Sequence, residues 1–265
     1  MKQLIKLINS ENLKIYSRKS TWVMMGSLIL LVFLSSTASW RMGIVPDQNI
    51  WGLVAGQISA LYLITIFTVI VGGGIVANEY NWGTIKLLLI RPVNRSRILL
   101  AKFMAMALFG LLLMALLFVA AFLVNGFLML VDNNGTGLMY EVLPNKKIWF
   151  NSFGGALLLY VLRFAEVLIY GTLAMMISTV SKSNALTIGV SLLTMLFGPE
   201  VTNMIHKPWT KYLFFTNLDL TGYLKGNPPV WPGMSLVFSI IILAFYGLIF
   251  YQISRVVFVK RDVLE

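Results

Sequence analysis

The residues that could do chemistry in this chain are few and scattered. Cysteine is absent, and His206 is the only histidine. Thiolate nucleophiles, disulfides and a histidine-based zinc site therefore lack their ligands. The ten carboxylates include no adjacent pair within an apolar run, which leaves an embedded hydrolase or transferase without its acid and base. No "GxxxxGK[ST]" phosphate loop occurs, so the chain carries no ATPase site of that type. Two ionisable groups do sit where charge is costly. Arg163 and Glu166 lie three residues apart inside an otherwise apolar segment, a spacing that lets them face each other on a helix. They are either a self-neutralising pair turned to neighbouring helices or part of a substrate pathway or dimer interface.

The elements that must carry these residues are membrane helices. Of 265 residues 58% are hydrophobic and 12% charged, and the mean hydropathy is +0.82, more apolar than a soluble domain can bury. Long apolar runs license spans at about 22–40, 51–77, 98–131 and 231–254, and two more, at about 151–180 and 184–205, are interrupted by charge but still legible. The expected fold is an all-α integral membrane domain of six transmembrane helices covering residues 1–265. The first run follows five basic residues and is long enough to stay as an anchor, so no cleavable signal peptide is expected.

Lysine and arginine give the expected orientation. The amino-terminal tail, the second-to-third connection, the turn at Lys182 and the carboxy-terminal tail together hold fourteen, against six on the opposite side. Both termini are expected in the cytoplasm. The net charge of +11 flanks spans and forms no soluble basic domain, so it reads as contact with membrane lipid, not nucleic acid. Ahead of the first span, Leu4, Ile8 and Ile15 share one helical face, with lysines elsewhere. That pattern predicts an amphipathic helix on the membrane surface, the alternative being a solvated basic tail. Trp209, Tyr212, Tyr223 and Trp231 suit an interfacial belt on the outer side, where the loop beyond residue 206 is expected to lie, with room for a short surface helix. Pro199 is expected to break the fifth span near its end, and Gly72, Gly73 and Gly74 mark close helix packing or a hinge.

The densest charge between apolar runs is "NEYNWGTIKLLLIRPVNRSRILLAK", residues 78–102. Its first part is compatible with a helix over 79–90, with Glu79, Gly83, Lys86 and Ile90 on one stripe. Glycine in a helix interior costs about 1 kcal/mol against alanine, so Gly83 is expected to admit a closely approaching neighbour. Pro92 disfavours helix at Arg91, and a new helix is expected to begin near Asn94 or Ser96 as cap. Arg95 and Arg97 then enter the first turn, where the helix dipole disfavours cations. Lipid phosphates, the positive-inside effect or an acidic partner surface could each offset that.

This segment resembles the signature of type-2 ATP-binding-cassette exporter permeases between their second and third spans: Glu, Gly-Thr, Lys, a leucine run, Arg-Pro, then basic residues entering a helix. The ending "VVFVKRDVLE" is similar to that family's usual close. The resemblance implies a short cytoplasmic coupling helix between spans two and three that seats in a groove of a separate ATPase subunit. Glu79, Gly83, Thr84, Lys86, Arg91, Pro92 and Arg95 are then the coupling positions. It further implies two ATPase copies, a second permease chain that is identical or paralogous, and ATP with Mg bound on the partner, with no cofactor on this chain. Such permeases export hydrophobic or amphipathic compounds, and antibiotic or antimicrobial-peptide efflux or immunity is the expected role. The competing reading is an ATP-independent secondary transporter or a non-transporting accessory protein.

Overall fold

A computed structural model describes residues 2–42, 49–83, 94–132, 152–205, 207–224 and 230–260. Nine α-helices and three 3-10 turns account for most of them, and no strand occurs among the described residues. The helices are α1 (Lys2–Tyr16), α2 (Lys19–Arg41), α3 (Ile50–Gly56), α4 (Leu61–Asn81), α5 (Arg95–Asp132), α6 (Phe153–Ser181), α7 (Asn184–Ile205), α8 (Leu220–Leu224) and α9 (Leu236–Lys260). Six of these, α2, α4, α5, α6, α7 and α9, are long and apolar enough to cross a membrane. The chain is therefore an all-α, multi-pass membrane protein.

Helices α4 and α6 form the centre, and glycine sets their separation. A side chain at Gly72 would meet the Met106 sulfur at 3.0 Å and the Gly171 carbonyl at 3.2 Å, and one at Gly73 would meet Thr187 at 2.9 Å. Ser178 Oγ donates to the Gly73 carbonyl at 2.5 Å and accepts from the Ala77 amide at 3.0 Å. The glycine run thus serves close packing. One core gathers α1 to α5 around the α4–α6 pair, and a second gathers α4, α6, α7 and α9.

Three expectations are corrected. The second span is not continuous over 51–77. Helix α3 ends at Gly56 and a 3-10 turn over Gln57–Ala60 precedes α4. Gln57 explains the break: its amide donates to Ser36 Oγ at 3.0 Å and accepts from Ser35 Oγ at 2.8 Å, so a polar group in apolar surroundings is fixed to α2. Pro199 does not end α7, which runs on to Ile205, as membrane helices tolerate proline when neighbours satisfy the freed backbone. The segment after α7 is more than a surface loop. From Pro208 to Leu224 it packs against α6, α7 and α9, burying Phe214, Leu218 and Leu220 in the second core beside Tyr170, Met195 and Phe250. Phe215 presses on the α7 backbone, where a side chain at Gly198 would meet its ring.

Polar contacts hold that segment. Asn217 donates to the carbonyls of Lys211 and Leu213, both at 2.8 Å, and accepts from Ser239 Oγ at 2.7 Å. Tyr223 hydroxyl meets the same Ser239 Oγ at 2.8 Å, and Trp231 donates to Thr210 at 2.9 Å. Tyr223 and Trp231 are thus internal ties, while Trp209 and Tyr212 are exposed as an interfacial belt requires.

Candidate functional site

Two charged clusters lie within the bundle. The first sits where α4 ends and α5 begins. Lys102, wholly buried on α5, donates to Glu79 at 2.7 Å, to Glu11 at 2.9 Å and to the Ile75 carbonyl at 3.1 Å. Lys14 donates to Glu11 at 2.7 Å and to Glu79 at 2.9 Å. Among the described residues, two cations and two carboxylates from α1, α4 and α5 thus join in one network. Such charge is tolerated away from water only when paired and hydrogen-bonded. Burial of Glu11 opposes its ionisation, but Lys102 and Lys14 outweigh that and hold its carboxyl below the usual range. Burial likewise opposes charge on Lys14, and the hydrogen bonds to Glu11 and Glu79 reverse it, raising its value.

This network changes the role expected of α1. Its face with Glu11 and Ile15 turns to the protein and packs on α5, while Ile5 and Leu13 are exposed. Glu11 occupies the Leu4–Ile8–Ile15 face one turn before Ile15, an acid on an apolar stripe, and that was the overlooked signal. Lys102 gave a similar one, since it falls in register with Leu99, Met106, Phe109 and Leu113, all buried.

The coupling positions are not brought together on one described stripe. Glu79 lies in the last turn of α4 with 6% exposure, turned toward Lys14 and Lys102. Gly83 is exposed and outside the helix. Its φ of +67° ends α4 after Asn81, with the Trp82 amide donating to Asn78 O at 2.9 Å and the Gly83 amide to Tyr80 O at 3.1 Å. Among the described residues no atom lies within 4 Å of where its side chain would start. The left-handed backbone is what favours glycine here. Thr84, Lys86, Arg91 and Pro92 lie outside the described residues, as do Ile90 and His206. Arg95 opens α5, where the Asn94 side chain accepts from the Ser96 amide at 3.1 Å, and Arg95 itself donates to the Val259 carbonyl at 3.1 Å.

The second cluster lies about 15–20 Å along α6 from its start at Phe153, at the helical rise of 1.5 Å per residue. Arg163 and Glu166 do pair, at 3.0 Å. Arg163 also reaches Asp219 at 3.0 Å, on the segment after α7. Asp219 in turn accepts from Thr221 Oγ at 2.7 Å and from the Gly222 amide at 3.3 Å, which caps α8. Nothing in the sequence periodicity pointed to Asp219, because it belongs to a non-repeating connection. Side-chain exposure is 19% for Arg163, 11% for Glu166 and 57% for Asp219. Among the described residues the cluster has one more carboxylate than cation, and Asp219 is its exposed member. Among the described residues no three metal-ligating side chains converge there or elsewhere.

The model of a family described as a protein of unknown function (DUF2705) matches residues 13–264. The chain belongs to this family. It is similar to the uncharacterised protein YhcI of Bacillus subtilis (strain 168), 32% identical over 98% of this chain and 99% of the relative. It is also similar to the uncharacterised membrane protein YdbK of the same organism, 27% identical over 95% of this chain and 99% of the relative. The family match covers all of the second charged cluster and the first apart from Glu11, and the relatives align along nearly their full length.

Proposed function

We propose that this DUF2705 member is the permease subunit of an ATP-driven exporter in a bacterial plasma membrane, with both termini cytoplasmic. The observation that carries the reading is the sequence of residues 79–102, which resembles the coupling segment of type-2 ATP-binding-cassette permeases. Six apolar helices and the excess of basic residues at one face support it. ATP and Mg are held by two copies of a separate ATPase subunit, and a second permease chain completes the pathway. The cargo is a hydrophobic or amphipathic compound such as an antibiotic or antimicrobial peptide.

In this reading the partner docks beyond Gly83, and the network joining α1, α4 and α5 passes the displacement on. Closure of the ATPase pulls the segment between α4 and α5, and Glu79 and Lys102 move α1 with it because their ion pairs span all three helices. Glu79 acts by positioning, not by contact with the ATPase.

A second reading, an ATP-independent secondary transporter, draws on the Arg163, Glu166 and Asp219 cluster beside the segment after α7, since such carriers place charge at broken elements near the midplane. One experiment separates the two. The chain is purified from native bacterial membranes, and co-eluting subunits and ATP hydrolysis are measured. The exporter reading expects a Walker-motif ATPase that is lost on Lys86→Ala/Arg91→Ala while the chain stays folded. Transport that persists with no ATPase bound and is untouched by those substitutions sinks it.

A further inference from the structure

We propose that α5, α6 and α9 form a binding site for one anionic phospholipid, with its acyl chain in a lateral groove and its phosphate between Arg97 and Arg255. This does not depend on the exporter reading. The groove has a volume of about 500 Å³ and is lined almost wholly by apolar atoms, among them Leu100, Phe103, Leu168, Ile240, Leu248 and Tyr251. Ile240 and Leu248 are exposed at 42% and 62%, so its rim faces the lipid side of the bundle. From Ile240 to Tyr251 the groove follows α9 for about 16 Å at 1.5 Å per residue, close to half of the ~30 Å hydrocarbon core, which is the depth of one leaflet.

Helical register places cations at one mouth of that groove. On α9 the stripe through Ala244, Gly247, Leu248 and Tyr251 continues one turn on to Arg255. On α5 the stripe through Leu100 and Phe103 continues one turn back to Ser96 and Arg97. The two ends meet: Arg255 donates to Ser96 Oγ at 3.3 Å, and Phe103 packs edge-on against Tyr251 at 5.6 Å between ring centroids. Arg97, Arg255 and Lys260 are exposed, and among the described residues none of them forms an ion pair.

Charge complementarity selects the occupant. Arg97 is at the amino-terminal turn of α5, where the helix dipole repels a cation and attracts an anion. A phosphate there offsets the first effect, uses the second, and is bracketed by Arg97 and Arg255. An uncharged apolar cargo would fill the groove but leave these cations unused. Basic pockets between membrane helices recognise anionic headgroups on this basis.

Native mass spectrometry of the whole protein, purified in detergent with an equimolar mixture of phosphatidylglycerol and phosphatidylethanolamine, tests this. Wild type is expected to retain phosphatidylglycerol preferentially. Arg97→Gln/Arg255→Gln is expected to cut that preference by roughly tenfold, given the attraction of each basic residue for an anionic surface. Ala244→Phe, which fills the groove, is expected to lower retention of the lipid itself, and Lys19→Gln is expected to change nothing. A wild-type protein with no preference, a double arginine variant that keeps it, or an Ala244→Phe variant that still holds the lipid would each overturn the proposal. Elution as a folded species is checked for every variant, and the exposed arginines are expected to pass.

Discussion

The two charged clusters solve the same problem, charge among apolar helices, in opposite ways. Among the described residues Glu11, Lys14, Glu79 and Lys102 set two carboxylates against two cations, with Lys102 wholly buried and three helices joined. Arg163, Glu166 and Asp219 leave one carboxylate in excess and place it on a partly exposed residue of the segment after α7. A buried balanced network resists separation because any broken pair strands a charge. An open one costs little to break, since water can take over at Asp219. The first is suited to carrying motion between helices as a unit. The second is suited to releasing a segment.

The largest expected effect tests the buried cluster. Lys102→Met removes the wholly buried cation that Glu11 and Glu79 share and is expected to cost about 3–5 kcal/mol, read as a lowered unfolding midpoint in detergent. Neutralising the carboxylates as well, in Glu11→Gln/Glu79→Gln/Lys102→Met, is expected to restore much of that loss. A single variant as stable as wild type would show that the network bears no such constraint.

Arg163→Gln is expected to cost less, about 1–2 kcal/mol, because Asp219 is exposed while Glu166 loses its cation. Its distinctive readout is local. The chain has no cysteine, so a single cysteine at Leu218 reports on the segment without background. Its labelling by a membrane-impermeant maleimide is expected to rise several-fold with Arg163→Gln and to stay unchanged with Lys102→Met. Equal labelling in both backgrounds would erase the distinction between the clusters.

Gly83→Ala is expected to cost about 1 kcal/mol through backbone strain at φ +67°, with Gly83→Asn milder, since asparagine tolerates that region better. If alanine instead abolished function without touching stability, close approach of a partner would be the reason for the glycine.

The smallest effect is on pH. The lowered value of Glu11, whose ionised form the lysines favour, gives stability that is complete above its ordinary value of 4.5 and is lost as pH falls through its lower folded value. The raised value of Lys14 gives stability that is complete below 10.5 and is lost only above that. The protection of α1 amides, taken relative to their intrinsic exchange rate at each pH, is therefore expected to be level between these limits and to fall in strong acid. A loss of protection near neutral pH would contradict this assignment.

Much of the architecture was legible because apolar length is a local property. The fifth span matched at both ends, 184–205, and the Arg163 and Glu166 pair followed from a three-residue spacing on one helix. Asn94 as the cap of α5 was also within reach of local rules. The helix stripe through Gly83 failed because left-handed glycine at a helix end and glycine inside a helix look alike in sequence. The packing of the 207–224 segment against α6, α7 and α9 was missed because its apolar residues have no period to mark the side they bury.

By itself, then, the sequence determined the all-α membrane class and the six helices long and apolar enough to span, since hydrocarbon thickness and backbone hydrogen bonding act on each helix alone. Only the tertiary structure decided which charges meet. Lys102 finds Glu11 ninety-one residues away, and Asp219 reaches Arg163 from a connection expected to stay outside. Pairing across such distances depends on how helices pack, and that is set at α4 and α6 by glycines whose contacts no local pattern records.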